Sequence, residues 1–138
     1  MKTIILYYSF SGKTKALAAQ KAKELEADIE EITEEKRQSM LGAFFAGVPK
    51  AIKRKTVKIK PIASELSAYE KIIIMAPVWA SHPAPAFNNI VELIPSGKKI
   101  EVIMVSAGGG TKKTEQKTKE LFTSRSCEVT SYTDITAK

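Results

Sequence analysis

Three hydroxyl side chains, Ser9, Ser11 and Thr14, stand around Gly12 and Lys13 in the stretch Ser9-Phe10-Ser11-Gly12-Lys13-Thr14. Hydroxyls donate hydrogen bonds, a glycine lets the backbone approach closely, and a lysine adds positive charge. These are the parts of an anion seat at a helix start. A plain helix cap would account for one Ser or Thr, but not for three hydroxyls and a glycine together. Gly12-Lys13-Thr14 also matches the end of the triphosphate pattern G-x-x-x-x-G-K-[ST], but that pattern needs a glycine where Tyr7 stands. A single phosphate is therefore the expected ligand. Two further stretches could complete such a site. Pro77-Val78-Trp79-Ala80-Ser81-His82-Pro83-Ala84-Pro85 offers a rigid, partly aromatic wall, and Ser106-Ala107-Gly108-Gly109-Gly110-Thr111 offers backbone amides with little side-chain bulk. Together they suit a ligand with a phosphate at one end and a flat ring at the other. One histidine and one cysteine exclude a multi-histidine metal site, a cysteine metal cluster and an internal disulfide. Cys127 is expected as a small core residue and fits a reducing cytoplasm.

These stretches need elements to position them. Ile4-Ile5-Leu6-Tyr7-Tyr8 is a continuous apolar run that reads as a fully buried strand. The alanine-rich stretch after it predicts a helix over about 13–26, with Ala18, Ala22 and Leu25 at helical spacing. Residues 27–32 read as a short strand whose acidic side chains suit a sheet edge. Two more core strands follow at 71–76 and 100–105, with helices expected over about 84–94 and 111–124. Residues 128–132 alternate as a strand buried on one side would. Near-continuous Ile and Val strands alternating with helices imply a parallel sheet covered on both faces. The 138 residues form one domain, 1–138. In such sheets ligands sit beyond the carboxyl ends of the strands. The stretches 9–14, 77–85 and 106–111 each follow a core strand, so they converge on one rim.

Residues 36–60 are the least regular part. Met40, Leu41, Phe44, Phe45 and Val48 make an apolar stripe at helical spacing, interrupted by Gly42, Gly47 and Pro49. A short docked helix and a flap facing a ligand or partner both fit. A membrane-surface role is disfavoured by the breaks in the stripe. Lys50, Lys53, Arg54, Lys55, Lys58 and Lys60 follow as a basic block within a net charge of +7. Without interleaved aromatics or a recognisable nucleic-acid module, the block reads as a solvated face rather than a nucleic-acid site. No apolar run approaches the ~18 residues of a membrane span, and the first is too short for a signal peptide.

Ser9-Phe10-Ser11-Gly12-Lys13-Thr14 after a hydrophobic first strand resembles the flavodoxin phosphate loop, [ST]-x-[ST]-G-x-[ST]. Pro77-Val78-Trp79-Ala80 with Pro83-Ala84-Pro85 resembles the second flavin loop of a flavodoxin-like subgroup. The resemblance spans nearly the whole chain. It implies a three-layer, doubly wound α/β fold with a five-stranded parallel sheet of order 2-1-3-4-5, and non-covalently bound FMN. By position, Ser9, Phe10, Ser11, Gly12, Lys13 and Thr14 would hold the phosphate. Pro77, Val78, Trp79 and Ala80 would line the ribityl chain and ring, and Ser106, Gly108 and Gly109 would border the ring. No protein nucleophile, general base or metal is then required. The implied role is cytoplasmic electron transfer with a redox partner protein. An NAD(P)H-dependent reductase of FMN or quinones is one alternative, and a flavodoxin-like binding module without redox activity is another. His82 could donate to a reduced flavin or be a surface loop residue.

Three departures from the flavodoxin pattern carry expectations of their own. Ser81 stands where related sequences often have a more adaptable glycine, so a weakly stabilised one-electron-reduced flavin is expected. No helix is read after the last strand, which leaves part of one sheet face uncovered and suggests a homodimer through it. Flavodoxins are typically acidic whereas this chain is basic, so its partners should be acidic, or the 50–60 block should attract a nicotinamide phosphate.

Overall fold

The computed structural model describes residues 2–36 and 39–137. Strands β1 (Thr3–Tyr7), β2 (Asp28–Glu31), β3 (Lys71–Trp79), β5 (Lys99–Ser106) and β6 (Glu128–Thr136) pair in the order β2-β1-β3-β5-β6. All four pairings along this path are parallel. A two-residue strand β4 (His82–Pro83) folds back antiparallel on β3 and stands off the path. Counted over the parallel strands, the order is the expected 2-1-3-4-5.

Alternation in the strands sends side chains to two cores. Ile4, Leu6, Ile72, Ile74, Val102 and Met104 face helices α4 (Pro85–Leu93) and α5 (Glu115–Thr123), where Phe87 and Phe122 meet edge to face at 5.9 Å. Ile5, Tyr7, Ile73, Met75, Ile103 and Val105 face α1 (Lys13–Leu25) through Leu17, Ala18 and Ala22. Among the described residues α1 is the only helix on that second face. The neighbouring surface is polar: Glu101 binds Lys71 at 3.0 Å and Lys21 at 3.4 Å. Ser131 and Thr133, exposed on β6, continue it.

The segment after β2 differs most from its sequence pattern. Gly42, Gly47 and Pro49 do not break the stripe: α2 (Met40–Gly42), a π-helical turn (Ala43–Gly47) and α3 (Val48–Ile52) run on as one helical arm. Ser39 caps it, its Oγ accepting from the Gly42 amide at 3.1 Å. Pro49 falls at the start of α3, and the π turn absorbs the missing amide by widening the helix. The arm ends where Arg54 turns left-handed (φ 54°), with the Lys55 amide bonding the Lys50 carbonyl and the Arg54 amide that of Ala51. Asn88 and Asn89 of α4 then hold the chain: Asn89 exchanges two hydrogen bonds with the Val57 backbone, and Asn88 donates to the Lys55 carbonyl.

Phe122 is fully buried on the larger core. Replacing it with alanine should cost about 3–5 kcal/mol, read as a fall in the urea midpoint with an unchanged slope.

Candidate functional site at the carboxyl rim of the sheet

Gly12 begins the site. It takes φ 99°, a left-handed value that costs glycine little, and lies at the N-cap of α1 without a side-chain cap of its own. Nothing lies within 4 Å of where its Cβ would be. Ser9 Oγ accepts from the amides of Gly12 and Lys15, each at 3.1 Å, and so shapes the loop. The first intrahelical bond runs from the Ala16 amide to the Gly12 carbonyl. The amides of Lys13 and Thr14 therefore lack an intrahelical acceptor and stay available at the positive end of the helix. Thr14 is 2% exposed, and the Lys13 ammonium reaches the Ala137 carbonyl at 3.3 Å.

The three sequence stretches do meet. Ser11, Lys13, Thr14, Pro77, Val78 and Ser106 line one cleft of about 130 Å³, together with Val105, Ala107 and Ala137. Gly108 and Gly109 lie exposed on the third loop, and Ala80 lies exposed at the tip of the second. Phe10 and Trp79 turn away from this cleft toward each other, edge to face at 5.5 Å. With Met40, Ala43, Phe44 and Val48 they line a neighbouring apolar cleft of about 290 Å³. A larger cavity, about 460 Å³, lies between Glu34, Lys50 and Lys58 and includes no rim-loop residue.

The second stretch is less loop-like than its prolines suggest. β3 continues through Pro77 and Val78 to Trp79, and Ala80 and Ser81 close a two-residue hairpin onto His82 and Pro83. Both take positive φ, 51° and 62°, as a type I′ turn requires, although neither is the usual Asn or Gly. Three bonds hold this strained turn. Thr114 Oγ1 donates to the Ser81 carbonyl at 2.5 Å, His82 Nδ1 donates to the Ala80 carbonyl at 2.7 Å, and the Ala84 amide reaches the Pro77 carbonyl at 3.0 Å.

Three residues that the sequence does not mark as part of the site, Asp134, Tyr132 and Arg54, anchor the third loop and the turn after it. Asp134 accepts from the Thr111 amide at 3.0 Å and from its hydroxyl at 2.8 Å. Because Thr111 Oγ1 donates to Asp134, the Tyr132 hydroxyl donates to Thr111, at 2.6 Å. Arg54 arrives from the far end of the arm and donates to the Thr114 carbonyl at 3.3 Å. Burial lowers its pKa, and its second terminal nitrogen lies buried without a partner among the described residues. No local sequence pattern marks these contacts, which span 21 to 60 residues.

Burial also raises the pKa of Tyr132, and the nearby Asp134 and Glu115 carboxylates add to this. A raised folded value means that the neutral phenol stabilises fully below the unfolded pKa, and that this is lost as pH rises through the folded one. Tyr132→Phe should lower stability by about 1 kcal/mol at neutral pH. It should also flatten the loss of stability above about pH 10, measured as urea midpoints across that range.

No family model matches the chain, and no curated protein matches its sequence. Solved structures do match its fold. A flavoprotein from Lactobacillus acidophilus, in complex with FMN, shares 22% identity with a TM-score of 0.76, covering 96% of this chain and 92% of that one. A Bacteroides eggerthii protein assigned as a flavoprotein shares 14% identity with a TM-score of 0.84, covering 99% and 89%. The two-electron-reduced flavodoxin of Megasphaera elsdenii shares 17% identity with a TM-score of 0.55, covering 97% and 85%. Strand order, layers and these likenesses agree: the chain has the flavodoxin-like α/β fold.

Proposed function

We propose that the chain binds FMN at the rim cleft and works as a flavodoxin-like redox protein. The observation that carries this reading is the start of α1. Two backbone amides without intrahelical acceptors, the nearly buried Thr14 and open space above Gly12 stand together in a cleft shared by all three rim loops. This donor set fits a phosphate monoester. The FMN-bound fold neighbour supports the choice of ligand.

The residues have distinct parts in this reading. The Lys13 and Thr14 amides and the Ser11 and Thr14 hydroxyls hold the phosphate, with Lys13 adding charge. Ser9 and Gly12 fix the loop that presents them. Pro77, Val78 and Ser106 line the path away from the phosphate. Ala80, Gly108 and Gly109 present backbone at the exposed end, where a ring would lie, with Phe10 and Trp79 bounding that side. Bound FMN supplies one- or two-electron redox chemistry, which these side chains do not. Amides, hydroxyls and one lysine bind and orient a ligand, which favours electron transfer through the flavin over a protein-driven reaction. The +7 charge favours acidic redox partners. The buried thiol of Cys127 suits a reducing, cytoplasmic setting.

Purified protein freed of ligand should quench the fluorescence of one equivalent of FMN. Riboflavin, which lacks the phosphate, should bind at least tenfold more weakly, because charge-assisted bonds of about 1.5–3 kcal/mol each are lost. Gly12→Ala, strained at φ 99°, should weaken FMN without changing riboflavin affinity. Equal binding of both flavins would sink the phosphate assignment. Steady NAD(P)H oxidation by the loaded protein with a quinone acceptor would replace the carrier with a reductase.

A further inference from the structure

We propose that the helical arm 40–52 and the lysines beyond it dock the protein on an anionic lipid bilayer. The arm is amphipathic in an unusual sense. Its inward side is made of small residues: Ala43 is 7% exposed, Ala51 is 1% exposed, and Gly47 is buried. Its large apolar side chains point out, with Met40 78%, Leu41 66%, Phe44 65% and Phe45 70% exposed. Nothing in the domain core uses these four, and they are contiguous on one short arm. A contiguous exposed apolar patch marks an interaction surface.

Charge identifies the other side of that interaction. Between Glu35 and Glu65 the sequence carries eight lysines and arginines and no acidic residue. Lys53, Lys55, Lys58 and Lys60, just beyond the arm, are exposed. Aromatic and aliphatic residues backed by lysines suit an interface of acyl chains and anionic headgroups. A second copy of this chain fits poorly, since face-to-face contact would bring two basic blocks together. Leu41 and Phe45 lie outside the apolar cleft that Met40 and Phe44 help to line, so they are open to a flat apolar layer. The Gly and Pro residues that weaken the stripe in the sequence do not interrupt the helix. The proposal does not depend on a flavin being bound.

Co-sedimentation of the purified full-length protein with vesicles tests it. Vesicles of phosphatidylcholine with about a third phosphatidylglycerol should capture the protein, pure phosphatidylcholine should not, and added salt should release it. The L41S/F45S double variant alters two exposed side chains outside both rim clefts. Its far-UV circular dichroism should be unchanged while vesicle affinity falls tenfold or more, a lower bound on the loss of two apolar side chains that enter the interface. Lys53→Gln and Lys55→Gln should each weaken capture roughly fivefold. Three results would overturn the proposal: no capture by anionic vesicles, equal capture of L41S/F45S, or a wild-type dimer that L41S/F45S abolishes. Failure on vesicles with salt-sensitive binding to polyglutamate would also overturn it, and would give the face to an acidic protein.

Discussion

Parallel pairing of β1, β3 and β5 forces three chain reversals onto one edge of the sheet. The register places Tyr7 beside Met75 and Met75 beside Ile103, so these strands reach the rim nearly in step. Ile4, Ile5, Leu6, Ile72, Ile73 and Ile74 are completely buried, and a one-residue slip would exchange their two cores and set side chains of one shape into the other. Packing of the sheet interior thus holds the three loops around one cleft. The open amides of Lys13 and Thr14 follow from the same constraint, because a helix leaving the end of a buried parallel strand presents its amides at that rim.

Pairing alone leaves the loops free to move, and a second layer of contacts restrains them. Asp134 and Tyr132 of the edge strand fix Thr111, Thr114 fixes the Ser81 carbonyl, and Arg54 fixes Thr114 from the arm. Each bond contributes only about 1 kcal/mol, comparable to the cost of holding Ala80 or Ser81 left-handed. The bonds and the strain come close to offsetting each other. What the network contributes is therefore a fixed geometry more than net stability. Gly110 shows how tight it is: a Cβ there would meet the Asp134 carboxylate at 3.2 Å, at a φ of 66°.

The strands and the converging loops were legible in the sequence because buried parallel strands leave continuous apolar runs. The turn at 9–14 was legible because hydroxyls and glycine cluster within six residues. The sequence was a poorer guide where ordinary residues take unusual conformations. Glu26, Arg54 and Ser126 end their helices in the left-handed region usually marked by glycine, and Ala80-Ser81 forms a turn usually marked by Asn-Gly. Conversely, Gly42 and Gly47 look like breakers but sit at helical angles, φ −60° and −73°. Arg54, Asp134 and Tyr132 reach the site through tertiary contact alone, so no spacing in the chain announces them.

The arm brings the molecule's outer surface close to its rim. Met40, Ala43, Phe44 and Val48 form one wall of the apolar cleft whose other wall is Phe10 and Trp79. Phe10 belongs to the 9–14 loop and Trp79 leads into the strained hairpin, so both loops border a cleft that the arm bounds on its other side. The arm is held at its far end by the Asn88 and Asn89 bonds and by Arg54, which ends on the residue that fixes Ser81. Any displacement of the arm must therefore strain either the side-chain amide pairing on α4 or the Arg54 to Thr114 bond beside the hairpin. The exposed face and the rim thus share the same few tethers, each individually weak.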